Sequence, residues 1–145
     1  MIDIQSRSLH RLIYVGKFVV ALAAAWAVGA SIYVLFSPLS GQGVTVRRTF
    51  GESGSVVETF MTEQSWYEAQ GLWGIFVLAV FTGIYLFAVR LTWNGHYNAL
   101  TIVSVITIAL SIVTGFSIGG IYFPAAAGLV VGALILLAAR LLTSR

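Results

Sequence analysis

Four long runs of apolar residues, each almost free of charge, constrain this chain more than any other feature. A helix needs about 20 mostly apolar residues to cross roughly 30 Å of hydrocarbon. The runs that approach or exceed this length lie at about 12–36, 72–91, 99–116 and 121–142. We therefore predict a single membrane domain over residues 1–145, an all-α integral membrane fold of four transmembrane helices.

The shortage of charge excludes several other classes of protein. Charged residues make up 9% of the chain, whereas a soluble domain has about 25%. Six of the eight Lys and Arg residues flank the apolar runs, so they indicate orientation and not a nucleic-acid interface. The chain has no cysteine, which removes disulfides and thiol catalysis.

The first run has two interpretations. Its basic start and the small residues at 28–30 fit a cleaved signal peptide. The apolar residues nevertheless continue through Phe36, which makes the run longer than the 7–15 residues typical of a signal core. We therefore expect an uncleaved transmembrane helix, with Lys17 near its start and within reach of the membrane surface.

The distribution of Lys and Arg predicts the orientation in the membrane. Six of them lie at the two termini and between the second and third runs, and two lie in the long 37–71 loop. By the positive-inside rule we expect a multi-pass protein of the cell (inner) membrane with both termini in the cytoplasm. The aromatic residues expected to anchor the two interfaces are Trp66, Tyr67 and Trp73 outside, and Trp93 and Tyr97 inside.

The 37–71 loop is predicted to form a small extracytoplasmic β-hairpin. Residues 43–50 and, more loosely, 55–61 alternate apolar and polar residues, and 51–54 supply turn residues. Arg47 and Arg48 are expected to form cross-strand charge pairs with Glu52 and Glu58, or alternatively to bind a ligand. Ser65 and Glu68 have capping-box spacing, which favours a helix start there over a catalytic role for Glu68.

Small residues recur at helical spacing and predict where helices pack together. Such rows let helix backbones approach closely in a membrane, and they leave open whether the contact is within one chain or between chains. We expect the third and fourth helices to form an antiparallel pair joined by a tight turn at Gly119-Gly120. The predicted packing residues are Ala21, Ala25 and Gly29 in the first helix, Thr107, Ser111 and Gly115 in the third, and Gly128 and Gly132 in the fourth.

The sequence carries no recognisable catalytic or cofactor motif. Neither Asp nor Glu occurs within the predicted spans, although buried carboxylates are typical of ion-coupled transporters. His10 and His96 lie near the inner interface and are interpreted as surface histidines, not as haem or metal ligands. We predict no enzyme activity, no metal site and no cofactor; composition leaves a bound lipid, quinone or pigment open.

Two segments resemble a known group of proteins. Residues Glu68-Ala69-Gln70-Gly71-Leu72-Trp73 resemble the E-x-N-G-x-W segment of small, uncharacterised four-span bacterial membrane proteins, with Gln70 at the usual Asn position. Residues 114–126 resemble the T-G-F-S-I-G-x-x-Y-x-P-A-A hairpin of the same group. The resemblance implies a four-span topology in a bacterial cell membrane and implies no activity. Residues 71–73 also resemble the G-L-W triplet of claudins, an analogy of architecture alone.

Two functional hypotheses follow. The first is a non-catalytic accessory or structural subunit that docks onto other membrane protein subunits, or onto copies of itself, through its small-residue faces and outer hairpin. The second is a small self-associating channel or lipid/small-molecule transporter. Its lumen would need a polar stripe, for which the candidates are Ser104, Thr107, Ser111 and Thr114.

Overall fold

Four helices and two strands make up this computed structural model. The structure describes residues 2–36, 38–51, 54–114 and 120–143, and the side chains of 8–36, 70–114 and 120–143. In chain order the elements are α1 (Ile2–Phe36), β1 (Pro38–Gly51), β2 (Gly54–Ser65), α2 (Trp66–Trp93), α3 (Tyr97–Val113) and α4 (Gly120–Thr143).

Three of these helices are long and apolar enough to cross a membrane. The candidate spans are Ser8–Phe36, Gln70–Trp93 and Gly120–Thr143, which overlap the first, second and fourth predicted runs. The third predicted run corresponds to α3, a shorter apolar helix of 17 residues. The chain is therefore a helical protein with three helices capable of spanning a bilayer.

The segment between α1 and α2 contains an antiparallel two-stranded sheet formed by β1 and β2. The strands are longer than the alternating segments at 43–50 and 55–61. Their register places Arg47 opposite Glu58 and Arg48 opposite Val57, with an irregularity between Leu39 and Gly43. The predicted ion pairs depend on side chains outside the described residues.

The chain divides into two compact units. The first comprises Met1–Ser31 and Ala79–Arg145, and the second comprises Ile32–Leu78. Within the first unit, contacts between helix ends show that neighbouring helices run antiparallel. Lys17 of α1 lies by Trp93 of α2, whereas Ser31 lies by Thr82. The start of α3 likewise meets the end of α4, where Arg140 Nη1 donates a hydrogen bond to Asn98 Oδ1 over 3.1 Å.

Two glycines adopt a backbone conformation that other residues rarely take. Gly95 (φ 75°) ends α2, where the His96 amide donates to the Leu91 carbonyl and the Gly95 amide donates to the Thr92 carbonyl. These are the bonds of a Schellman motif, and they form a turn at Asn94-Gly95. Gly71 (φ 56°, ψ −143°) interrupts α2 five residues after its start, a break that the apolar pattern did not predict.

Candidate functional site

Two helices of the first unit, α1 and α4, approach each other closely at Gly16 and Gly132. A Cβ atom added at Gly132 would lie 2.6 Å from Val20 Cγ2 and 3.2 Å from the Gly16 carbonyl oxygen. One added at Gly16 would lie 2.7 Å from Leu136 Cγ. Only glycine fits at these positions without displacement, so Gly16 and Gly132 form a close helix contact of the kind small residues permit.

The predicted packing residues of α4 lie in this contact, but those of α1 largely do not. Gly132 is buried, and a Cβ at Gly128 would lie 3.3 Å from Ala23 Cβ. The partner of this α4 face is α1, whereas the sequence suggested α3. On α1, Ala21 is half-buried, Ala25 and Gly29 are exposed, and the core is formed by another row: Val20, Ala23, Ala24, Ala27 and Ala30. Both rows contain small residues at helical spacing, which is why the pattern could not separate them.

A cluster of hydroxyl groups joins three helices at the other end of α1. Tyr122 of α4 has no exposed surface, and its hydroxyl lies 2.5 Å from Ser31 Oγ of α1. Ser31 Oγ also lies 2.6 Å from Thr82 Oγ1 of α2 and donates to the Ala27 carbonyl over 2.8 Å. The Tyr85 hydroxyl donates to the Tyr122 backbone carbonyl over 3.3 Å. We call Ser31, Thr82, Tyr85 and Tyr122 the Tyr122 cluster.

The aromatic rings in and beside this cluster also pack against one another. The centroids of Phe81 and Tyr122 are 5.0 Å apart, and those of Tyr85 and Tyr122 are 6.3 Å apart. Nearby, the Trp26 indole N–H donates to the Ile121 carbonyl over 3.1 Å. The sequence analysis did not predict this cluster. The tyrosines inside apolar helices were a signal for it, since a buried tyrosine hydroxyl needs a hydrogen-bond partner.

The hydroxyl row of α3 faces the interior of the chain. Ser104 and Thr107 are buried and donate to the carbonyls of Leu100 and Val103, each over 2.7 Å. Ser104 Oγ also lies 3.4 Å from the Leu129 carbonyl of α4. Ser111 is buried, and its Oγ makes no hydrogen bond of good geometry among the described residues, although the Tyr85 hydroxyl of α2 interacts with it. Gly115 lies outside the described residues, as does the predicted turn at Gly119.

The side of the α1–α2 pair that faces away from α4 is open. Nothing within 4 Å would meet a Cβ at Gly29 of α1 or at Gly83 of α2. Ala25 and Ala79, each four residues before one of these glycines, are also exposed. We call Ala25, Gly29, Ala79 and Gly83 the open α1–α2 face. It has the small-xxx-small spacing that allows another helix to approach closely.

One end of the first unit is basic. The Lys17 ammonium lies 5.9 Å from the centre of the Trp93 ring, within range of a cation–π interaction. Arg90 and Arg140 lie in the last turns of α2 and α4. We call this the basic end, and the end that holds the Tyr122 cluster the hydroxyl end. No Asp or Glu occurs at 8–36, 70–114 or 120–143.

The predicted interface aromatics differ in exposure. Trp73 and Trp93 are exposed by 66% and 57%, and Tyr97 is half-buried. The side chain of Trp66 lies outside the described residues, although α2 begins at that residue. His10 and His96 are both exposed. Among the described residues there is no group of three or more His, Cys, Asp or Glu side chains that could hold a metal ion.

Comparison with known proteins leaves the site to be interpreted from its geometry, because no protein-family model, curated protein or solved structure matches the chain.

Proposed function

We propose that this chain is a non-catalytic accessory or structural subunit of a larger membrane protein assembly, in a bacterial cell membrane. All four helices cross the bilayer, both termini are cytoplasmic, and the β-hairpin is extracytoplasmic. Other membrane subunits, or further copies of the chain, bind the surfaces that the chain leaves open.

The open α1–α2 face is the observation that carries this proposal. Gly29 and Gly83 have no neighbour within 4 Å of a would-be side chain, while Gly16 and Gly132 show how closely two helices of this chain approach at glycine. Association of helices in lipid depends on such close packing, because lipid tails are as apolar as the side chains. A partner helix that reached the backbone at Gly29 and Gly83 would gain the same kind of contact.

The interior of the first unit supports a structural role over a conducting one. The hydroxyls of Ser31, Thr82 and Tyr122 bond to one another, and those of Ser104 and Thr107 bond to their own helix backbone. A lumen formed by self-association would need the α3 row on an outer surface, whereas Ser104, Thr107 and Ser111 are buried.

The basic end supports the proposed orientation. Beyond Lys17, Arg90 and Arg140, each of the three long helices continues for about 19 residues without a charge, roughly 28 Å at 1.5 Å per residue. That length matches the hydrocarbon core of a bilayer. Cations at one end of all three helices favour the cytoplasm for that end, and a tag fused after Arg145 should be inaccessible from outside intact cells. A tag that is accessible from outside would show that the topology is the reverse of the one proposed.

Site-specific crosslinking tests the docking surface. A photo-reactive amino acid at Gly29 or at Gly83 should give one crosslinked product of defined mass in native membranes. The matched control is the same amino acid at Ile102, which is 62% exposed on α3. A product at the two glycines and none at Ile102 supports the proposal, and the mass of the product separates a second copy from another subunit.

The same experiment can contradict the proposal. Equal crosslinking at all three positions would mean that the open face has no selective partner, and crosslinking at none of them would mean that it contacts only lipid. Purification in mild detergent as a uniform monomer without companion proteins would count against it as well.

A further inference from the structure

Lys17 is the half-buried member of the basic end, and it is held in place by an aromatic ring. Its ammonium lies 5.9 Å from the centre of the Trp93 ring. That contact brings Lys17, ten residues inside the candidate span Ser8–Phe36, level with the end of α2. The ammonium therefore lies where the apolar part of the α1–α2 pair ends.

A second cation flanks this position on α2. Arg90 is one turn before Trp93, and residues three apart are neighbours on a helix surface. Thr82 faces α1, and helical spacing places Trp93 on nearly the same side of α2, with Arg90 displaced toward the open side of the α1–α2 pair. Lys17 and Arg90 thus border the same end of the groove between α1 and α2.

No carboxylate in the described part of the chain neutralises these cations, since Asp and Glu are absent from 8–36, 70–114 and 120–143. Arg140 differs from them because its guanidinium donates to Asn98 Oδ1. Two cations beside a tryptophan at the end of an apolar groove form a site suited to an anion, and the described side chains place none there.

We propose that Lys17 and Arg90, with Trp93, bind the phosphate of an anionic lipid headgroup at the basic end of the α1–α2 groove. Basic pockets between transmembrane helices bind such headgroups. Exposed apolar side chains lie close to the cations along both helices, with Phe18 next to Lys17 in α1 and Leu86 one turn before Arg90 in α2. An acyl chain fits that surface, which is the reason to prefer a lipid to a soluble phosphate.

Fluorescence quenching in nanodiscs tests this site with the purified full-length protein. Brominated phosphatidylglycerol and brominated phosphatidylcholine are compared at the same mole fraction. The fluorescence of Trp93 is obtained as the difference between the wild-type protein and Trp93→Phe. We expect about fivefold enrichment of the anionic lipid at Trp93, which corresponds to about 1 kcal/mol. Equal quenching by the two lipids in the wild-type protein would overturn the proposal.

Variants locate the effect. Lys17→Gln combined with Arg90→Gln should abolish the enrichment, and Lys17→Arg should keep it because the charge remains. Arg140→Gln is the matched control, since it removes one cation from the same end but outside the groove. Equal loss in Arg140→Gln would mean a general charge effect and no local site.

A soluble arm separates the two sources of phosphate. Glycerol phosphate is added to the protein in neutral detergent, and the same Trp93 signal is followed. No response at millimolar concentration is expected, whereas saturable binding would assign the site to a soluble phosphate compound and overturn the lipid. Because no partner protein is present, the outcome is independent of the accessory-subunit proposal.

Discussion

The two ends of the first unit hold their helices together by different means. Near the basic end, α1 and α4 meet at Gly16 and Gly132, where there is no room for a side chain. At the hydroxyl end, α1, α2 and α4 meet through the Tyr122 cluster, in which Ser31 Oγ lies 2.5 Å from the Tyr122 hydroxyl and 2.6 Å from Thr82 Oγ1. The glycine contact depends on the absence of side chains, whereas the Tyr122 cluster depends on side-chain hydroxyl groups.

This difference matters because lipid gives helices little hydrophobic reason to associate. Close packing of helices is stabilised by dispersion summed over many atom pairs, and an added methyl group disrupts it because there is no space for the new atom. A hydrogen bond between membrane helices contributes about 0.6 kcal/mol on average, with a maximum near 1.7 kcal/mol. We therefore expect the glycine contact to be the more sensitive of the two to substitution.

The largest effect is expected for Gly132→Ala. The new Cβ would lie 2.6 Å from Val20 Cγ2 and 3.2 Å from the Gly16 carbonyl oxygen, so α1 and α4 must separate. Such overpacking costs about 1–3 kcal/mol. The measurement is the free energy of unfolding from an SDS titration in mixed micelles, followed by circular dichroism.

Gly83→Ala is the matched control for that change. Nothing within 4 Å meets its new Cβ, and alanine favours a helix over glycine by up to about 1 kcal/mol. The free energy of unfolding of the purified protein should stay the same or rise. Equal destabilisation by the two substitutions would show that the α1–α4 contact is not selectively sensitive to a methyl group.

A smaller loss is expected for Tyr122→Phe, which keeps the buried ring and removes the hydroxyl that lies beside Ser31 Oγ. Ser31 retains the Ala27 carbonyl and Thr82 as partners, so the free energy of unfolding should fall by about 1 kcal/mol. Tyr14→Phe, at a tyrosine that is 73% exposed, should change it little. Similar losses from both would remove the distinction between the Tyr122 cluster and an ordinary surface tyrosine.

The smallest effect is expected for Ser111→Ala. Among the described residues, its buried hydroxyl makes no hydrogen bond of good geometry and interacts only with the Tyr85 hydroxyl, and removing a poorly satisfied polar group is close to neutral. The free energy of unfolding should therefore stay constant or rise slightly in the same titration. A loss larger than that of Tyr122→Phe would mean that Ser111 makes a bond in the folded protein that its geometry here does not include.

The sequence was most informative about where helices form. Apolar length alone predicted the three long helices to within a few residues, except for the earlier starts of α1 and α2, because a helix that crosses lipid must satisfy its backbone internally. The turn at Gly95 was also predictable, since Asn-Gly after an apolar run is typical of a turn. The break at Gly71 was not predictable, because an apolar pattern does not distinguish a glycine that interrupts a helix from one that packs against another helix.

The choice between faces was beyond the sequence. The row through Ala25 and Gly29 and the row through Gly16 and Ala23 have equivalent composition, yet only the second meets α4. Which row is buried depends on residues more than 100 positions away, such as Gly132. The Tyr122 cluster is equally non-local, because Ser31 and Tyr122 are 91 residues apart.

The common position of Lys17, Arg90 and Arg140 has a mechanical consequence for the surrounding membrane. Because these cations end the uncharged stretch of each long helix on the same side, a mismatch in hydrophobic thickness would not be shared equally by the two leaflets. A thicker bilayer would strain against the anchored side, and the strain would be relieved by elastic thinning of that leaflet. The protein would then deform its host asymmetrically, with the compressed leaflet on the side of its positive charge.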